Sequence, residues 1–73
     1  MDRLFSAYSG DEPYIFISYA HRDSTNVYPE FNWLREQGLN IWYDEGIDAG
    51  ADWREELAVA ISKARVFLFF VEA

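Results

Sequence analysis

The chain is expected to form an α/β fold in the order strand, helix, strand, helix, strand, with the three strands parallel. Two continuous apolar runs predict it. One is Tyr14-Ile15-Phe16-Ile17, continuing through Ser18 and Tyr19; the other is Val66-Phe67-Leu68-Phe69-Phe70-Val71. Runs of this kind, rich in Ile, Val and aromatics, are typical of strands buried on both faces, which occur in parallel sheets covered by helices. The third observation is that two segments with helical period lie between the runs and the short apolar stretch at Ile41 and Trp42. Right-handed crossovers then place helices on one or both faces of the sheet.

Residues 1–13 show no clear period and end in the turn-like Gly10-Asp11-Glu12-Pro13, so they are expected to form a leader outside the core. Within them, Leu4, Phe5 and Tyr8 suggest a short amphipathic turn. The first strand is residues 14–19, followed by a polar loop over 20–25. Asn26 is the expected N-cap of a helix over 27–37. Val27, Phe31 and Leu34 recur at i, i+4 and i+7 on one face. Pro29 falls in the first turn, where a missing N–H loses no intrahelical bond. Gly38 supplies a left-handed residue to end the helix.

Residues 39–43 form the second strand, and 44–51 a loop with Gly46 and Gly50. These glycines suit a loop that needs positive φ or has to move. Asp52 is the expected N-cap of a helix over 53–64, with Glu55 completing a capping box. Trp53, Leu57, Ala60, Ile61 and Ala64 fall on one face. The run 66–71 is the third strand, expected to be fully buried; its outer edge would be bare, apolar and free of Pro, an aggregation hazard.

With 73 residues, the chain is one small domain with a marginal core. It has no Cys, so it has neither a disulfide framework nor a thiolate metal site, which suits a cytoplasmic setting. No apolar run approaches the roughly 18 residues of a membrane span. The formal charge of -7 argues against nucleic acid or an anionic membrane as partner. A hydrophobic fraction of 51% argues against disorder.

Ligands of such sheets sit beyond the carboxyl ends of the strands, which directs attention to residues 18–23. His21 has no paired nucleophile and reads better as an exposed loop residue than as a general base. Asp44, Glu45, Asp48 and Asp52 form an acidic group. Their spacing fits no Ca²⁺ loop, so a solvated loop is favoured over a metal site. A phospho-receiver would need an acidic pair after the first strand, where Ser18 and Tyr19 stand; neither glycine-rich phosphate motif is present.

Three blocks together resemble the TIR (Toll/interleukin-1 receptor-type) domain of bacterial style. They are Phe16-Ile17-Ser18-Tyr19-Ala20-His21-Arg22-Asp23, then Gly38-Leu39-Asn40-Ile41-Trp42-Tyr43-Asp44-Glu45-Gly46-Ile47 with Gly50 and Trp53, and Ile61-Ser62-Lys63-Ala64-Arg65-Val66-Phe67-Leu68. The resemblance implies a flavodoxin-like parallel sheet, here truncated to three strands in the order 2-1-3. It divides the chain into a leader over 1–13 and a partial TIR domain over 14–73.

The resemblance also implies a nucleotide cleft bordered by Ser18, Tyr19, Ala20 and His21. The loop carrying Asp44, Gly46 and Gly50 would cover that cleft and take part in TIR–TIR contacts. Trp53 either lies near the substrate or simply anchors the second helix. The leading function is a signalling and interaction module that self-associates with other TIR domains. The alternative is part of an NAD-cleaving enzyme, with NAD as substrate and no bound cofactor. The family's catalytic glutamate would then lie beyond Ala73, leaving this chain inert alone.

Overall fold

The computed structural model describes residues 4–47 and 50–70. Strands β1 (Ile15–Ser18), β2 (Ile41–Trp42) and β3 (Val66–Phe69) form one parallel sheet in the order β2-β1-β3, with helices α1 (Ser24–Glu36) and α2 (Trp53–Lys63) as crossovers. This is the expected 2-1-3 order. Ile15 pairs with Ile41 on one side and Val66 on the other, and Phe16 with Trp42 and Phe67. Successive strand residues point to opposite faces, and β1 uses both. Ile17 packs with Ile41, Tyr43 and the α1 residues Val27 and Phe31. Phe16 packs with Trp42 and the α2 residue Ala60. The helices therefore cover opposite faces, which settles the one-face-or-two alternative. The Phe16 and Trp42 rings stack 4.9 Å apart.

Helix α1 begins earlier than its apolar pattern indicates. A 3-10 turn over His21–Asp23 runs directly into it, so residues 20–25 are not a loop and Asn26 is not the cap. The cap position falls to Asp23, whose side chain makes no capping bond. The reason is Ser24. It is 1% exposed and opens the buried stripe continued by Val27 and Phe31, a polar residue where the pattern expects an apolar one. Pro29 consequently lies inside the helix rather than in its first turn, and the Thr25 carbonyl loses its intrahelical donor. The C-terminus ends as expected. Gly38 has φ 86°, its N–H bonds the Arg35 carbonyl at 2.9 Å, and the Leu39 N–H reaches Leu34 at 3.3 Å. That bond pair is a Schellman motif.

Residues 4–8 are not outside the core. Tyr43 is fully buried, and its hydroxyl needs partners that the sheet does not supply. The Phe5 N–H donates to it at 2.7 Å, and the hydroxyl donates in turn to the Phe5 carbonyl. Leu4 and Phe5 pack on the α1-side core, and the Arg35 guanidinium lies 4.2 Å from the Phe5 ring centre. The Ala7 N–H bonds the Gly46 carbonyl and the Tyr8 N–H the Ile41 carbonyl, each at 2.9 Å. The segment bends at residues 4 and 5 and forms no helical turn.

Asp52 caps α2 as expected, accepting from the N–H groups of Arg54 at 3.1 Å and Glu55 at 3.3 Å. The expected apolar face of α2 is only half used. Ala60 is buried and Leu57 and Ala64 are half-buried, whereas Trp53 is 52% and Ile61 47% exposed. Nor is β3 fully buried. Leu68 and Phe70 reach the α1-side core, but Phe69 is 64% exposed. As an outer strand, β3 extends past the cover of α2, which lies over Phe16 and Trp42. Among the described residues, no helix is long and apolar enough to cross a membrane.

The two loop glycines differ. Gly50 has φ 89° with open space around it. Gly46 has no positive φ; it is buried, and a Cβ there would lie 2.7 Å from both the Ala7 N and the Tyr43 ring. Gly46→Ala is therefore expected to destabilise by about 1–3 kcal/mol through overpacking. In a domain this size that lowers the midpoint of a circular-dichroism melt by at least about 4 °C. An unchanged midpoint would contradict the packing of residues 4–8 on this loop.

Candidate functional site

Beyond the carboxyl ends of β1 and β2, the chain at 18–28 meets the loop at 44–52. Three hydroxyls converge there on one carboxylate oxygen. Tyr19, Ser24 and Tyr28 all approach Glu45 Oε1, Ser24 at 2.6 Å and Tyr28 at 2.9 Å. Ser24 Oγ is also 2.6 Å from the His21 carbonyl, and its single proton serves one acceptor at a time. Ser24 and Tyr28 are one helical turn apart and so share a face of α1. The Tyr19 ring meets Phe31 and Tyr28 edge-on, at 5.3 and 6.3 Å. Packing thus fixes the rings whose hydroxyls hold Glu45.

Burial pushes the Glu45 carboxyl up, but the bonds from Ser24, Tyr19 and Tyr28, aided by His21, outweigh it and hold the group below its usual range. Burial, reinforced by Glu45, drives the Tyr19 phenol far above its ordinary value. Tyr28 is raised too, mainly by burial. Both phenols keep their protons and act as donors to an ionised Glu45. Beside them, His21 Nε2 lies 2.8 and 2.9 Å from the two Asp44 oxygens. His21 is 54% exposed, so this pair is a surface contact.

Three of the loop's acidic residues, Asp44, Glu45 and Asp52, are therefore not simply solvated. Asp44 holds His21, Glu45 faces inward, and Asp52 caps α2. Asp48 lies outside the described residues. Among the described residues, no group of three or more His, Cys, Asp or Glu side chains could hold a metal ion.

A pocket of about 210 Å³ opens at this end of the sheet, between Phe16, Ser18, Tyr19, Trp42, Asp44 and Leu57. The expected site residues are divided around it. Ser18, Tyr19 and Asp44 line it. Ala20 is exposed beside it, and His21 joins it through Asp44. Gly46 is turned away, against Ala7 and Tyr43. Gly50 and Trp53 are exposed and do not line it. Glu45, Ser24 and Tyr28, which organise the region, were not among the expected site residues. Glu45 stands in the acidic group of the loop, and the i, i+4 hydroxyls at 24 and 28 are the signal for the other two.

A parallel sheet covered on both faces, with a polar cleft beyond its strands, defines an α/β domain of doubly wound type. The TIR-domain family model matches residues 15–73, and the chain belongs to that family. TIR domains are signalling and interaction modules that generally contact other TIR domains. No curated protein and no solved structure matched the chain.

The depressed Glu45 carboxyl contributes stability that is present above its ordinary value of 4.5 and lost as pH falls through the lower folded value. Glu45→Gln is expected to lose about 1.5–3 kcal/mol at neutral pH, the range for a hydrogen bond to a charged group. It should also flatten the acid limb of stability measured by urea unfolding from pH 7 downward. An unchanged acid limb would show that the carboxylate does not carry this linkage.

Proposed function

We propose that this TIR domain is a signalling module that self-associates through the loop at 44–52 and the adjoining start of α2. The observation that supports it best is the contrast between the two ends of that loop. Its base is held by Glu45 and by the His21–Asp44 pair. Its far end carries Gly50 at positive φ and leads to Trp53, 52% exposed. A fixed base with a projecting aromatic side chain loses little conformational freedom on docking. Exposed Trp is enriched among residues that dominate interface energetics.

Trp53→Ala is expected to weaken self-association at least about tenfold in sedimentation across a concentration series, with an unchanged far-ultraviolet spectrum. Equal association by the variant would refute this use of the loop.

A second reading has NAD bind in the pocket at Ser18, Tyr19 and Asp44. The pocket's position favours it, since doubly wound sheets take ligands beyond their strand ends. Its volume of about 210 Å³ is below the roughly 300 Å³ where small-molecule sites begin. The described residues also offer no paired nucleophile and base there. The chain is expected to release no nicotinamide from NAD above a blank, measured by chromatography; release would place catalytic groups among its own residues.

A further inference from the structure

On the other side of Trp42, a cavity of about 190 Å³ lies between the N-terminal segment and α2, with Tyr8, Tyr14, Trp42, Glu56, Val59 and Lys63 in its walls. A neighbouring cavity of about 250 Å³ shares Tyr8, Trp42 and Glu56, so the two form one groove past the same carboxylate. Its aromatic walls are held in place. The Tyr8 hydroxyl accepts from the Glu12 N–H at 2.9 Å, and the Tyr14 hydroxyl donates to the Ala60 carbonyl at 2.6 Å. The Tyr8 and Tyr14 ring centres are 5.8 Å apart. With both hydroxyls engaged, the two rings are fixed as walls of the groove.

Glu56 makes no side-chain hydrogen bond or ion pair among the described residues. Asp52 and Glu55 lie with it around a third hollow, so the groove opens toward an acidic helix end. Lys63 lines the opposite end of the first cavity, its backbone a rise of roughly 10 Å further along α2 than that of Glu56. One end of the groove is thus anionic, on a chain of net charge -7. The first cavity, of about 190 Å³, has room for a single side chain.

We infer that this groove receives an arginine side chain of a partner polypeptide, its guanidinium lying against the Tyr8 and Tyr14 rings and paired with Glu56. Arginine suits both features. Its planar, weakly hydrated cation stacks on aromatic rings and bonds carboxylates in a bidentate fork, whereas lysine offers a strongly hydrated point charge. The groove adjoins the loop at 44–52, whose Gly46 and Ile47 line its second cavity, but Trp53, the residue proposed to dock there, is not in its walls.

The test is a nuclear magnetic resonance titration of the whole chain with blocked glycyl-arginyl-glycine, following the Glu56 and Val59 amides and the Trp42 indole N–H. Saturable shifts are expected at millimolar peptide. Glu56→Gln and Tyr8→Leu should each weaken binding at least about fivefold. Glu55→Gln, with the same loss of charge on the same helix, should leave it unchanged. Absence of saturable shifts would overturn the inference. So would equal weakening by the Glu55 and Glu56 variants, or equal affinity for blocked glycyl-lysyl-glycine, since either would reveal only diffuse attraction to an acidic chain.

Discussion

The structure depends on β1 being the middle strand. With β2 on one side and β3 on the other, all its pairing is used within the sheet. Only its two faces remain, and each takes one helix. Ile17 and Phe16 are neighbours in sequence, yet they belong to different cores. Every later element is placed by contact with one of these residues or with the strand paired beside it. A polar substitution at either position would therefore remove the support of a whole helix, not of a single contact.

The polar chemistry at the sheet end follows from that arrangement. Strand β1 delivers Tyr19 beside α1, whose first turns supply Ser24 and Tyr28, and β2 delivers Glu45 to meet them. A carboxylate partly withdrawn from water is costly unless bonded, and here hydroxyls from two other segments bond it. The arrangement adds a polar link between the loop after β2 and α1 to the packing of Tyr43 on Phe31. It gives the loop a defined starting direction, although the loop has glycine at its far end.

Much of the fold was legible in the sequence, for identifiable reasons. Apolar runs marked β1 and β3, Gly38 marked the end of α1, and Asp52 marked the start of α2. Each is a local signal that tertiary contacts did not override. The start of α1 was missed because Ser24 occupies a core position as a polar residue, stabilised by partners far away in sequence. The packing of residues 4–8 was missed because its cause is the buried Tyr43 hydroxyl, 38 residues from Phe5. The full burial expected of β3 failed because an apolar run reports composition, not whether a neighbour covers it. In the candidate site, the loop residues were recognisable as a group. Glu45's inward role was not, since it depends on where three hydroxyls arrive in space.

The sheet's two margins are unlike. On the β2 side, Tyr8 occupies the Ile41 carbonyl and Ala7 occupies that of Gly46, so the backbone there is already engaged. On the β3 side, the strand beyond Leu68 shows a bare aromatic surface at Phe69. Among the described residues, no strand pairs with the outer edge of β3, whereas residues 7 and 8 already lie along the β2 margin. That asymmetry favours the β3 side for any strand that would extend the sheet.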